Sequence, residues 1–195
     1  MKDIQFSFII SISIVCLIIG IGIGYFISPY YQKSMYQKND MTFGTADKWI
    51  DLRYINAMIA HHKGAILLAK QANKHTTRKE VVDLTIEILK NEPIAIEELY
   101  KWKKENYGDI YQVSDPTVEN LGPKDTKSDL RFLNALINHH ELGLLMTKEI
   151  QMKSGNSYIL SNADAVDIFL KSGLQMLHSW RKNWYDISSP NVIYY

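Results

Sequence analysis

Cysteine is almost missing from this chain: the only one among 195 residues, Cys16, lies in an apolar run. That excludes an intrachain disulfide and a cysteine-based zinc site. A surplus of charge of either sign is missing too, with 22 Lys+Arg against 21 Asp+Glu and a formal net charge of +1. Nucleic acid is therefore not an expected partner, because such a surface needs a clustered basic excess. Catalytic signatures are likewise absent. No Glu stands three residues before any of the six histidines, so the E-x-x-H element of di-iron bundles does not occur. Nor does an H-E-x-x-H pair, a nucleophile elbow or a phosphate-cradling glycine loop. The chain is not expected to be an enzyme, and no stretch reads as a β-strand.

What is present begins with an uncharged segment. Residues 4–27, IQFSFIISISIVCLIIGIGIGYFI, are interrupted only by Gln and Ser among polar residues. At about 1.5 Å per helical residue they span roughly 36 Å, enough for a hydrocarbon core of about 30 Å. The reading is a single-pass membrane helix; a cleaved signal peptide would be shorter and followed by an A-x-A-like site. Gly20 and Gly24 form a GxxxG spacing that would allow a homodimer. Tyr25, Tyr30 and Tyr31 suit an aromatic interface belt, while the flanking Lys and Asp residues are too evenly mixed to orient the span. The expected organisation is a membrane anchor over 1–28, a juxtamembrane linker over 29–45, a helical bundle over 46–187 and a tail over 188–195.

The bundle carries one unit twice. Residues 51–62 read DLRYINAMIAHH and residues 129–140 read DLRFLNALINHH, an offset of 78 that also aligns Trp102 with Trp180 and Tyr107 with Tyr185. Such a period is too long for a solenoid and fits a duplicated supersecondary unit, with repeat one over 46–108, a connection over 109–127 and repeat two over 128–187. In repeat one, Asp51, Ile55, Met58, His62, Ala65 and Ala69 follow helical spacing for one buried stripe. Thr77-Arg78-Lys79-Glu80 resembles a capping box for the next helix, Gly108 stops it, and Pro93 is expected to kink or break it near Asn91. In repeat two, one helix is expected from Asp129 to about Lys153, and Ser161-Asn162-Ala163-Asp164 is expected to cap another that ends at Tyr185. The fold class is all-α: two antiparallel hairpins forming a four-helix bundle behind a transmembrane helix.

Chemistry concentrates at the histidine pairs. Met58, His61 and His62 stand at i, i+3 and i+4, so one thioether and two imidazoles share a helix flank. Imidazole suits several transition metals, and adding a thioether moves the preference towards Cu(I). In repeat two the pair is His139 and His140, and an antiparallel hairpin would carry His178, with Met176, towards them. The competing reading makes these imidazoles hydrogen-bonded core residues and Met58 and Met146 fillers of an apolar interior. Asp51 and Asp129 suit the positive ends of their helices, Trp102 and Trp180 anchor the hairpins, His75 is expected in a solvated turn, and KWKKE at 101–105 reads as an exposed face.

The pattern D-x-x-(Y/F)-(I/L)-x-x-(M/L)-I-x-H-H, present twice with a Trp closing each hairpin, resembles the ferritin-like domain-of-unknown-function family numbered 305, over about residues 45–187. The resemblance implies an extracytoplasmic four-helix bundle that binds Cu(I), and sometimes silver, through Met and His in metal resistance or delivery. By match to its motif, the methionine before HH is kept as Met58 but is Leu136 in the second copy, and the methionine after HH is kept as Met146 but is Leu68 in the first. The family's Gln, Glu and Met ahead of the Trp fall on Glu92, Ala95 and Leu99 in one copy and on Leu170, Gly173 and Leu177 in the other. The expected function is thus a membrane-anchored copper-binding protein that sequesters the ion or hands it to a partner protein, with His61, His62, Met58, His139, His140, Met146 and His178 as ligands. The alternative is a scaffold bundle that has kept the fold and not the metal.

Overall fold

A computed structural model describes residues 43–188. The expected membrane span, the linker up to residue 42 and most of the tail lie outside the described residues. Within them the chain forms four helices and no strand: α1 Ile50–Ala72, α2 Lys79–Tyr107, α3 Ser128–Lys153 and α4 Ser157–Tyr185. None of the described helices is long and apolar enough to cross a membrane.

Each repeat is one antiparallel hairpin, α1 with α2 and α3 with α4. The hairpins join through their first helices, which cross antiparallel at the centre, as shown by Ser154 at the end of α3 donating to Asp51 at the start of α1 (2.6 Å). Because α1 is covered from several sides, it buries more than a single stripe. Leu52, Tyr54 and Ile59 are enclosed along with the expected Ile55, Met58 and Ala69. The Tyr54 hydroxyl, carried into this interior, donates to Asn162 of α4 at 2.9 Å and so escapes the cost of an unbonded buried polar group.

The duplication is visible in atoms as well as letters. Arg53 donates from Nη2 to the Thr45 carbonyl (2.6 Å) and to Asp47 (2.8 Å), and from Nε to the Phe43 carbonyl. Arg131 repeats this with the Pro123 carbonyl (2.6 Å), Asp125 (3.1 Å) and the Leu121 carbonyl. The loops it clamps both turn at a left-handed glycine, Gly44 (φ 73°) and Gly122 (φ 71°), a conformation that costs glycine little. The second copy therefore begins by Leu121, inside the stretch expected to be only a connection. The rest of that connection runs along α1, held by Lys63 on the Val113 carbonyl (2.6 Å) and by Gln71 on the Glu119 carbonyl (3.0 Å).

Several local expectations are corrected. The helix containing Pro93 is neither broken nor ended near Asn91; α2 continues to Tyr107. A proline removes one N–H and crowds one carbonyl, a loss that the flanking turns of a 29-residue helix absorb. Thr77 does not cap α2. The cap position is Arg78, extended and without a side-chain cap bond, its guanidinium lying 4.5 Å from the Trp184 ring centre and 3.5 Å from Asp129. Helix α4 starts at Ser157, four residues before Ser161, because Asn156 accepts from the Tyr158 N–H and caps it there (3.0 Å).

The KWKKE stretch is not simply an exposed face. Lys103 is fully buried and donates to Asn56 (2.9 Å), Asp109 (3.1 Å) and the Tyr111 carbonyl (2.6 Å). Burial pushes its ammonium pKa down, opposed by the Asp109 carboxylate. The second copy places Arg181 at the same register, donating to Asn134 at 3.0 Å, which explains why Asn56 and Asn134 both recur.

Candidate metal centre

The histidine pairs sit midway along α1 and α3, where the two hairpins cross. His61 and His139, equivalent in the two repeats, stack face to face across that crossing, with ring centres 3.8 Å apart and planes 6° from parallel. Their neighbours diverge towards the outer helices. The His62 ring centre lies 6.2 Å from that of His61, and its Nδ1 bonds the Glu92 carboxylate of α2. The His140 ring lies 6.4 Å from His139 and 6.3 Å from Phe169 of α4.

Three helical glycines make room for these rings. A Cβ on Gly64 would stand 3.0 Å from His139 Cε1, one on Gly143 would stand 2.9 Å from His61 Nε2, and one on Gly173 would stand 2.6 Å from His140 Nε2. Glycine costs a helix interior about 1 kcal/mol relative to alanine, so its use at three ring contacts reflects packing. Gly64 and Gly143 also set the register of α1 against α3. Counting outwards from those contacts, Met58 comes level with Met146 on one side of the stack, and Leu68 level with Leu136 on the other. The apolar interior divides accordingly: Met58 and Met146 belong to one buried cluster, Leu68 and Leu136 to the other.

Burial keeps the rings of His61, His139 and His140 neutral. Burial drives the pKa of His61 well below 6.5, helped by the nearby His139, His62 and His140. It takes His140 down to about 3, with His139 adding to the shift and the Leu136 carbonyl opposing it. His139 falls to about 4, again through burial, with Glu92 opposing. Neutral imidazole is the metal-ligating form. His139 Nε2 is buried without a hydrogen-bond partner, whereas His140 faces the Leu136 carbonyl.

His178 stands apart from this group. Its Nδ1 faces Arg181 at 3.3 Å, and along the α3–α4 pair, where Gly173 meets His140 and Arg181 meets Asn134, it is about one turn removed from His140. Burial lowers its pKa, Arg181 lowers it further and Glu141 opposes. Trp102 and Trp180 pack half-buried against the two apolar clusters; within their own helices Trp102 stands edge-on to Tyr107 (6.0 Å) and Trp180 stacks on Trp184 (5.1 Å).

Residues beyond the expected ligands shape the centre: Glu92, Leu170, Gly64, Gly143 and Gly173. Glu92, Leu170 and Gly173 are the positions that the family motif marks ahead of each Trp. The helical glycines were a signal in their own right.

Among the described residues no group of three or more His, Cys, Asp or Glu is placed to hold a metal ion. The four paired histidines, with Glu92, therefore do not by themselves converge on one point as ligands of an ion. Thioether sulfur is the other donor type near the crossing, where Met58 and Met146 are buried.

Residues 51–128 match the model of the family described as a domain of unknown function (DUF305), so the resemblance read from the repeated HH signature holds across repeat one and the connection after it. No curated protein matches. Among solved structures, the chain is similar to CopM in the Cu(I)-bound form, at TM-score 0.62 and 21% identity, over 71% of this chain and 99% of that one. It is also similar to CopM in the Ag-bound form obtained by co-crystallization, at TM-score 0.61 and 20% identity over 69% and 97% of the two chains. The apo form of CopM matches at TM-score 0.60 and 21% identity over 69% and 98%. At these identities the likeness is one of fold.

Proposed function

We propose that this protein binds copper, as Cu(I), at the crossing of α1 and α3, and acts by sequestering the ion or passing it to a partner protein. The observation that carries the reading is the stacked pair His61 and His139, drawn from both repeats and held neutral where thioethers lie one turn away. Support comes from the fold shared with a protein solved in Cu(I)-, Cu(II)- and Ag-bound forms. His61, His62, His139 and His140 with Met58 and Met146 supply the candidate ligands, and His178 an outlying one. The bound ion would supply soft Lewis-acid affinity; the chain's own part is to hold imidazoles deprotonated, keep sulfur out of water and space the helices with glycine. The role is binding and not catalysis. The apolar segment 4–27 would anchor the bundle to a membrane as a single-pass helix, with the bundle on the extracytoplasmic side.

A second reading, a scaffold bundle without metal, draws on the leucines at 68 and 136 and on the engagement of His62 with Glu92. An anaerobic Cu(I) competition titration of the full-length chain separates the two. Tight uptake that disappears in a folded variant with His61, His62, His139 and His140 all changed to Ala is the expected result. A folded wild-type chain that never competes with the chelator would leave the scaffold reading standing.

A further inference from the structure

The two repeats do not each own half of the sulfur in a useful way; the fold pools it. We infer that the chain holds a single soft-metal ion in a site straddling the repeats, with Met58 and His61 from α1 and Met146 from α3 as its donors. This inference rests on the copper reading above and goes further by fixing the stoichiometry and the residues.

Three observations converge on it. Met58 precedes His61 by one turn of the same helix, and helical side chains lean towards the N-terminus, which brings His61 back over Met58. Across the interface the His61 Nε2 edge occupies the space left by the absent Cβ of Gly143, at 2.9 Å. Gly143 precedes Met146 by three residues, so Met146 leans towards that same spot. Both methionines lie in the same buried cluster, Met58 one turn along α1 from the His61 ring, and thioether with imidazole is the donor pairing Cu(I) prefers.

The repeat-related position is built on the same plan and lacks the sulfur. There His139 lies against Gly64 and is flanked by Leu136 one turn before it and Leu68 across the interface, both in the other cluster. One chain thus carries a sulfur-bearing site and its leucine counterpart, which binds nothing soft. One methionine in each repeat, which along the sequence looks like two damaged half-sites, becomes one pair level with each other across the crossing.

The test is an anaerobic Cu(I) titration of the full-length chain against a chelator, with copper-edge X-ray absorption on the loaded protein. Met and Leu have similar volumes, so exchanging them preserves the core, and a thermal melt of each variant verifies that. Wild type is expected to take one tight equivalent with sulfur among the metal's neighbours. M58L/M146L loses that equivalent, and L68M/L136M gains a second. Two tight equivalents in wild type, or an unchanged equivalent in M58L/M146L, would overturn the single-site inference while leaving copper binding intact. No uptake by folded wild type would remove the copper reading itself, and this inference with it.

Discussion

The two repeats agree at the loop that opens each hairpin and at the turn that closes it, and differ around the histidine pairs they share. Arg53 and Arg131 clamp equivalent loops through equivalent carbonyls, and Gly108 and Asp186 end equivalent helices in the left-handed conformation. Near the crossing the equivalences fail: Met58 faces the role of Leu136, Leu68 that of Met146, Glu92 that of Leu170. Loop clamps and caps satisfy backbone groups that every copy of the hairpin must satisfy. Interior residues answer only to volume and to whatever the site binds, and Leu, Met and even a paired Glu are interchangeable in volume far more than in chemistry.

Acidification should disturb this arrangement most. Burial holds His139 and His140 neutral when folded, with pKa values down to about 4 and about 3 against the ordinary 6.5 of histidine. The unfolded chain therefore binds more protons, so their contribution is intact above pH ~6.5 and is lost as pH falls towards 4. The loss is of the order of several kcal/mol for the apo protein. Thermal melts across that range should show the midpoint falling with pH, and a flat profile would mean the rings are already charged or solvated in the fold.

Next comes the contrast between Lys103 and Arg181. Lys103→Ala would leave Asp109, itself buried, without its cation, at a cost of about 3–5 kcal/mol. Arg181→Ala, at the half-buried equivalent position, should cost about 1–2 kcal/mol through its bond to Asn134. Denaturant unfolding of the two variants measures the gap, and equal losses would erase this difference between the repeats.

Sequence reasoning anticipated neither the burial of Lys103 nor its partners. A Lys-rich helical stretch ordinarily reads as solvated, and the ammonium is enclosed by Asn56, forty-seven residues away, and by a connection with no periodic pattern. The hint lay in the offset: W-K at 102–103 recurs as W-R at 180–181, and Asn56 recurs as Asn134. The first helix of each repeat, the stop at Gly108 and the pairing of α1 with α2 were legible because apolar spacing and a glycine turn are local. The start of α4 was not, since Asn156 outcompetes the later Ser161 as a cap. For the site, spacing along α1 exposed Met58 with His61 and His62. That Met146 belongs beside Met58 depends on the crossing of α1 with α3, which no local pattern encodes.

A smaller effect is expected at the glycines. Gly173→Ala should destabilise by about 1–3 kcal/mol despite the better helix propensity of alanine, because the new Cβ would stand 2.6 Å from His140 Nε2. Gly155→Ala, where nothing lies within 4 Å, serves as the comparison in the same thermal melts and should be close to neutral. Smallest of all is the exchange of Met58 and Met146 for Leu, which should change apo stability by less than about 1.5 kcal/mol; a larger loss on chemical denaturation would assign the methionines to packing.

The most direct test is to locate the ion. Crystals of the protein loaded anaerobically with Cu(I), measured at the copper absorption edge, should show one anomalous peak beside His61 between Met58 and Met146, and none between Leu68 and Leu136. A peak at His139 and the leucines, equal peaks on both sides of the stack, or no peak at the crossing would contradict a site made by pooling the sulfur of the two repeats.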